Sequence, residues 1–289
     1  MAPRVSPATS RSRSRRRRVA PQLQSDGLDP RAPASDTPTV KPTDENAREV
    51  EESRESYREW LTGPESFLAA VARHELPVGH PLRFGVNGDV DLPDAGAAIT
   101  VAATDDGFRV DGLKRGPGIL RLGRYRLRLS HQNAPAVVVI DPDAPRERIV
   151  PRWFPYAPSL RFILALEPDP EKIALESTRE RDRAAERVGW FRFSIDGHES
   201  RLAATRLLEP GVPEDSLQIF FKDRTNGRES YYIGRYLDLD ALDDGGYLVD
   251  FNRAYNPACA FSPHYNCPVP PPENRLFVAV RAGEMTPEQ

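Results

Sequence analysis

The chain lacks several features that would place it in a common class. It has only two cysteines in 289 residues, and no apolar run approaches the roughly 18 residues that a membrane-spanning helix needs. The basic N-terminus is not followed by the apolar stretch of a secretory signal. These absences favour a soluble, cytoplasmic protein without a membrane partner, in which a disulfide would not persist.

Familiar catalytic motifs are missing as well. We find no glycine loop that would cradle a phosphate, no dinucleotide-binding fingerprint, no His-Glu-x-x-His and no Gly-x-Ser-x-Gly. The common nucleotide-binding, zinc-protease and serine-hydrolase classes therefore have no motif in their support. We expect no cofactor.

Lysine is also scarce, because arginine makes up all but four of the 40 basic residues. Together with abundant alanine and proline, this usage favours a GC-rich bacterial genome. Residues 1–40 carry eight arginines and three aspartates, a balance of +5, and since the whole chain carries −3 the remainder carries −8. Phosphate backbones require a net basic face, so we expect no nucleic-acid partner for the folded part.

Composition divides the chain into three parts. Residues 1–42 are rich in arginine, serine and proline, and we interpret them as a disordered leader. Residues 43–150 are predicted to hold a helical segment and a small β region, and residues 151–289 a β domain. A proline-rich and aromatic segment, residues 141–158, is the expected seam between the last two.

The helical signals are confined to the first part of the folded region. Val50, Tyr57, Trp60 and Leu61 fall at helical spacing, and Gly63-Pro64 ends that pattern. A second helix is predicted after the break, ending at Pro77. Its apolar face would consist of Phe67, Leu68, Val71 and Ala72.

Beyond that point the period changes to two. Tyr125, Leu127 and Leu129 alternate with arginines, as in a half-buried strand. Asn-Gly or Asp-Gly pairs, which tolerate the positive φ of tight turns, recur at positions 87, 106, 111, 196, 226 and 244. The prediction is a mainly β protein with antiparallel, hairpin-linked sheets, barrel-like or sandwich-like. Residues 171–187 are highly charged and fit either a short solvated helix or a loop.

The C-terminal half resembles an uncharacterised prokaryotic family, the domain-of-unknown-function family sixteen-eighty-four. The resemblance is carried by Phe221-Lys222-Asp223, Gly234-Arg235-Tyr236-Leu237, Asp250-Phe251-Asn252-Arg253-Ala254-Tyr255-Asn256-Pro257, Cys259-Ala260-Phe261, Pro271-Pro272-Glu273-Asn274-Arg275-Leu276 and Ala282-Gly283-Glu284. It is specific from about residue 150 onward and weaker before it. The family has no assigned chemistry, so the resemblance supports the β fold and implies no mechanism.

The densest set of polar residues lies within this signature. Irregular backbone so rich in donors and acceptors is either a rigid corner or a site. Our leading hypothesis is a polar pocket for a small anionic ligand, formed by the 250–275 loop and the 221–236 hairpin. The candidate ligand-binding residues are Asp223, Arg235, Asp250, Asn252, Arg253, Asn256, Glu273, Asn274 and Arg275.

Two further functions stay open at this stage. A hydrolase-like enzyme in the same pocket would use Cys259 or a carboxylate, Asp250 or Glu273. Alternatively, the acids and arginines form a buried salt-bridge network in a structural or interaction domain. The sequence does not indicate the oligomeric state.

Cysteine spacing suggests one more chemistry. Cys259, His264 and Cys267 read C-x4-H-x2-C, three potential zinc ligands without an evident fourth. Two inert thiols packing the loop is the simpler interpretation. We therefore predict no metal and keep this trio as a weak candidate.

Overall fold

The computed structural model describes residues 44–132, 134–146 and 149–288, and the predicted leader of residues 1–42 lies outside these ranges. Antiparallel strands dominate, which confirms the predicted fold class. The elements are α1 (Asp44–Thr62), β1 (Ala70–Glu75), β2 (Leu82–Gly85), β3 (Val90–Asp91), β4 (Ile99–Thr104), β5 (Gly107–Val110), β6 (Leu113–Arg115), β7 (Gly118–Leu122), β8 (Tyr125–His131), β9 (Pro135–Ile140), β10 (Arg161–Leu164), β11 (Glu167–Leu175), β12 (Arg183–Ile195), β13 (His198–Leu207), β14 (Gln218–Phe221), β15 (Arg235–Asp238), β16 (Asp240–Ala241) and β17 (Tyr247–Asp250).

The first nine strands form two sheets, ordered β1-β9-β8-β7 and β3-β2-β4-β5-β6. The alternation predicted for residues 125–129 is present in β8, where Leu127 and Leu129 enter a core with Phe84 and Phe108. The arginines of the same strand lie on its other face, because successive side chains of a strand point to opposite sides. Strand β8 is therefore apolar on one face and basic on the other.

The predicted second helix is wrong beyond its first turn. Residues Phe67–Ala69 form a single 3-10 turn, and the chain then becomes strand β1. β1 pairs with β9, whose run of valines is buried on both faces. Pairing with that strand outweighs the helical spacing of a few apolar residues, since most helix stability in proteins comes from tertiary packing.

The remaining strands form two further sheets, ordered β11-β12-β13-β14-β15 and β10-β17-β16. Their shared core is the largest apolar cluster among the described residues and centres on Phe191, Phe221 and Phe251. The charged segment 171–187, left open by the sequence, is the β11–β12 hairpin. β11 is an edge strand, where Pro168 and Pro170 and exposed charges are tolerated.

The predicted tight turns have mixed outcomes. Asp111-Gly112 and Asp196-Gly197 have positive φ at both positions and connect antiparallel neighbours, as expected. Asn87-Gly88 does not form a hairpin, because the flanking strands β2 and β3 pair in parallel. Turn chemistry thus predicts a local backbone bend more securely than strand direction.

Helix α1 is confirmed, with Val50 and Leu61 buried on one face. Within the described ranges, no helix has the length and apolarity needed to cross a membrane. All the strands of the described residues belong to one compact unit. The proposed boundary at residue 150 remains a prediction about folding units.

Candidate functional site

A cavity of about 810 Å³ lies between α1, the ends of β14 and β15, and the loop that follows β17. Its volume falls within the range of about 300–1,000 Å³ that is usual for small-molecule sites. Exposed residues among its lining, including Ser53, Asp240 and Arg253, open it to solvent. Aromatic side chains form much of the rest: Tyr57, Trp60, Phe67, Trp153, Phe220, Tyr236, Tyr255 and Tyr265.

The start of the loop that follows β17 is tied to neighbouring backbone by its polar side chains. Asp250 caps a 3-10 turn by accepting from the backbone N–H of Asn252 at 3.0 Å. The Asn252 amide bonds both backbone groups of Ala157, at 2.7 Å and 2.9 Å. Asn252 and Arg253 line the cavity, so these contacts fix part of its wall.

Two buried asparagines carry unpaired polar atoms at this wall. Asn266 is only 3% exposed, and both atoms of its side-chain amide have no hydrogen-bond partner among the described residues. Asn256 donates to the carbonyl of Met285 at 2.7 Å, but its Oδ1 is unpaired. An unpaired buried amide costs about 1–3 kcal/mol, so it calls for an explanation beyond packing.

Arg128 contributes an uncompensated positive charge to the same cavity. Its Nε is buried without a partner, and no ion pair joins it to a carboxylate of the described residues. Neighbouring Arg183 is instead neutralised by Glu209, through two bonds of 2.7 Å and 2.5 Å. Among the described residues, the guanidinium of Arg128 thus has no carboxylate partner.

Glu284 adds a carboxyl group whose charge is suppressed. Gly283 adopts a φ of +73°, and a Cβ there would lie 2.5 Å from the carbonyl oxygen of Ala254, so only glycine allows this approach. Glu284 consequently lies inside, where its carboxylate accepts from the backbone N–H of Asn256 at 2.6 Å. Burial raises the pKa of Glu284 to about 8, against the opposing effects of that hydrogen bond, Arg235 and Arg54.

The predicted pair Asp223 and Arg235 lies away from the cavity lining. Both side chains are 0% exposed and joined at 2.7 Å. Arg235 also donates to the carbonyls of Val280, Ala282 and Glu284, and Asp223 accepts from the backbone N–H of Thr225. With these groups committed to one another, this pair supports the structural salt-bridge alternative.

The other predicted residues are also dispersed. Asn274 is fully buried and clamps β13 and β14 through Ala203 and Phe220. Glu273 and Arg275 flank it on the exposed surface. Of the nine candidates, the cavity collects Asn252, Arg253 and Asn256. The 221–236 hairpin and the 250–275 loop meet through backbone bridges between Tyr236 and Tyr255 and between Lys222 and Arg275.

The cysteine loop does not assemble the weak zinc candidate. No three His, Cys, Asp or Glu side chains of the described residues form a group that could hold a metal ion, Cys259, His264 and Cys267 included. Cys259 instead donates its backbone N–H to the sulfur of Cys267 at 3.3 Å. The hydroxyl of Tyr231 lies 4.0 Å from the sulfur of Cys259. A hydrogen bond from Cys267 lowers the pKa of the Cys259 thiol, whereas the pKa of Cys267 is raised.

Several residues of the cavity were missed by sequence reasoning. Arg54, Tyr57, Arg128 and Asn266 come from a helix, a strand and a loop far apart in the chain. Arg128 gave one usable signal, since it belongs to the arginine face of an alternating strand. Asn266 lay between two predicted ligands but was not singled out.

The comparisons with known proteins place the chain in a family. Residues 151–285 match the family described as Protein of unknown function (DUF1684). A solved structure, the solution NMR structure of an uncharacterized protein of Haloarcula marismortui, is 34% identical, with 47% of this chain and 76% of that chain covered and a TM-score of 0.37. No curated protein matches. The chain belongs to the DUF1684 family.

Proposed function

We propose that this protein binds a small molecule with an anionic group in the cavity. The observation that carries the proposal is the unpaired amide of Asn266 in the wall of a cavity of about 810 Å³. A packed interior avoids such a group unless something pairs with it. A ligand donor and acceptor that reached this amide would satisfy both of its atoms.

The charge and shape of the lining favour a particular ligand class. Arg128 offers a planar donor fork without a counterion, which suits a carboxylate or phosphate. The rings of Tyr57, Phe67 and Tyr265 provide flat apolar surface beside it. We therefore expect a molecule with a planar or apolar body and one anionic group.

A thermal-shift screen of metabolite carboxylates and phosphates tests this proposal. A ligand that binds only the folded state raises the melting temperature, and the rise grows with the logarithm of its free concentration once that concentration exceeds Kd. Arg128→Gln should abolish the shift for the compounds that wild type binds. Arg121→Gln, an arginine on neighbouring β7 that is 74% exposed, is the matched control and should respond like wild type.

Asn266→Leu separates a binding amide from a structural one. Leucine has a similar volume and no polar atoms, so the ligand-free variant should be as stable as wild type or up to about 3 kcal/mol more stable in urea. The ligand-induced shift should nevertheless disappear. A destabilised Asn266→Leu that still binds every stabilising compound would refute the proposal.

Hydrolase-like chemistry in the same cavity is the second candidate, and Glu284 favours it. With a pKa of about 8 its carboxyl holds a proton at neutral pH, as a general acid must. Incubating wild-type protein with each stabilising compound, followed by mass spectrometry, would detect products. Turnover that is lost in Glu284→Gln but kept in Cys259→Ser would favour the carboxyl over the thiol.

A further inference from the structure

A second group of arginines, which form no ion pair among the described residues, comes from β1 and the β11–β12 turn. Arg73 donates from Nη2 to the carbonyl of Ala134 at 3.3 Å, and its Nε is buried without a partner. Arg179, in the β11–β12 turn, donates to the carbonyl of Pro263, and its Nε is likewise buried and unpaired. Each guanidinium is thus held by one backbone carbonyl and retains unused donors.

Three separate elements bring these groups together. Arg181, two residues after Arg179, is paired with Glu75 of β1 at 3.3 Å, so the β11–β12 turn lies against that strand. Pro263, the partner of Arg179, immediately precedes His264. The pKa of His264 is lowered, first by burial and then by the positive charges of Arg179 and Arg73.

The carboxylates near these arginines are bonded to other arginines. Glu75 opposes the lowering of the pKa of Arg73, but its carboxylate is paired with Arg181, and Glu209 is paired with Arg183. Across the described residues, Arg73 and Arg179 are in no ion pair. Burial, followed by the charge of Arg179, lowers the pKa of Arg73 to about 10. Gathering like charges in a partly buried place is unfavourable unless an anion compensates them.

We propose that Arg73, Arg179 and His264 form a binding site for a phosphate-type anion. Guanidinium forks and an imidazole from three elements surround a tetrahedral oxyanion better than one arginine grips a planar carboxylate. None of the three residues lines the cavity, so this site is additional to the proposed ligand site. Both sites face the same side of the sheet, since Arg73 and Arg128 each lie opposite Val138 of β9.

Titration of the full chain with inorganic phosphate tests the site, with binding measured by calorimetry and by thermal shift. Sodium chloride at matched ionic strength and sodium acetate are the reference salts. We expect saturable stabilisation by phosphate, and about tenfold weaker binding in Arg73→Gln and in Arg179→Gln, the usual loss for one charge-assisted contact. Arg121→Gln should bind phosphate like wild type.

Stability without phosphate distinguishes a binding role from a structural one. Removing one of two repelling charges should leave the melting temperature of Arg73→Gln unchanged or raised in phosphate-free buffer, whereas a structural arginine would lower it. Arg73→Lys, which keeps the charge and loses the fork, should also bind phosphate more weakly. Phosphate that acts no better than chloride, acetate that binds as tightly, or variants that bind like wild type would overturn the proposal.

Discussion

Glu284 shows how the backbone sets the state of one side chain. The glycine before it allows the chain to approach Ala254, and the carboxyl that follows is enclosed with 2% of its surface exposed. Desolvation then outweighs two arginines in setting its pKa. A carboxyl that sequence inspection would assume to be ionised is therefore neutral at pH 7.

This state predicts a specific pH dependence of stability. Between the ordinary pKa of 4.5 and the folded value of about 8, the unfolded chain loses the Glu284 proton and the folded chain keeps it. The folded state binds more protons in this window, so its stability falls as pH rises, by about 1.4 kcal/mol per unit from this group. Urea denaturation of wild type and Glu284→Gln at pH 4 to 9 measures the difference.

The comparison with glutamine isolates this one titration. A glutamine side chain at this position would keep the acceptor for the Asn256 N–H without ionising. The free energy of unfolding of the variant should therefore rise steadily relative to that of wild type from pH 5 to 8. Below pH 4 and above pH 9 the two stability curves should run parallel. Parallel curves throughout would mean that the carboxyl is ionised in the folded protein.

The two thiols should also differ in reactivity. Cys259 is half-buried with a lowered pKa, whereas Cys267 is buried with a raised one. Because the thiolate is the reactive form, we expect iodoacetamide at pH 8 to label Cys259 well before Cys267. Peptide mass spectrometry of the native protein measures this, with denatured protein as the control. Tyr231→Phe should slow the labelling, since its hydroxyl also lowers that pKa.

At the scale of elements, the segment after β17 is fixed by buried contacts to its neighbours. Gly234 lets the start of β15 pass Pro270 and the carbonyl of Phe221, where a Cβ would lie within 2.7 Å of both. Arg235 follows, and its guanidinium donates hydrogen bonds to the carbonyls of Val280, Ala282 and Glu284. One arginine thereby joins β15 to residues 280–284.

Loss of the contacts that Arg235 makes should lower the free energy of unfolding substantially. Arg235→Met would leave Asp223 charged and buried, and breaking a buried pair in this way costs about 3–5 kcal/mol. Arg235→Lys should not restore the loss, because lysine lacks the fork that reaches three carbonyls. Adding Asp223→Asn to Arg235→Met should recover part of the stability. Chemical denaturation would contradict the assignment if Arg235→Met unfolded at the wild-type midpoint.

At the scale of the whole molecule, the core of the described residues begins at Val50 of α1. From its composition, the arginine-rich leader of residues 1–42 has too little apolar surface to offset the entropy of ordering. Deleting it should change the melting temperature by less than about 2 °C. Deleting residues 1–62 is the matched comparison, since it also removes the buried Val50 and Leu61 of α1.

The longer deletion should lower the melting temperature by roughly 10 °C or more, or prevent folding, because each buried side chain contributes about 1.5–3 kcal/mol. If the shorter deletion had the same effect, the leader would be part of the folded structure.

A cytosolic location also remains a prediction, which cell fractionation would test.

The sequence by itself determined the mainly antiparallel fold, α1 and the alternation of β8, because these depend on local periodicity and turn chemistry. Tertiary structure decided that Ala70–Glu75 is a strand, because a buried valine strand lies beside it. It also decided the site. Arg128 and Asn266 lie 138 positions apart in the chain, and only packing shows that they share a cavity while Arg235 is sealed against Asp223. Sequence patterns report which groups are present, whereas burial and pairing decide which remain open to a ligand.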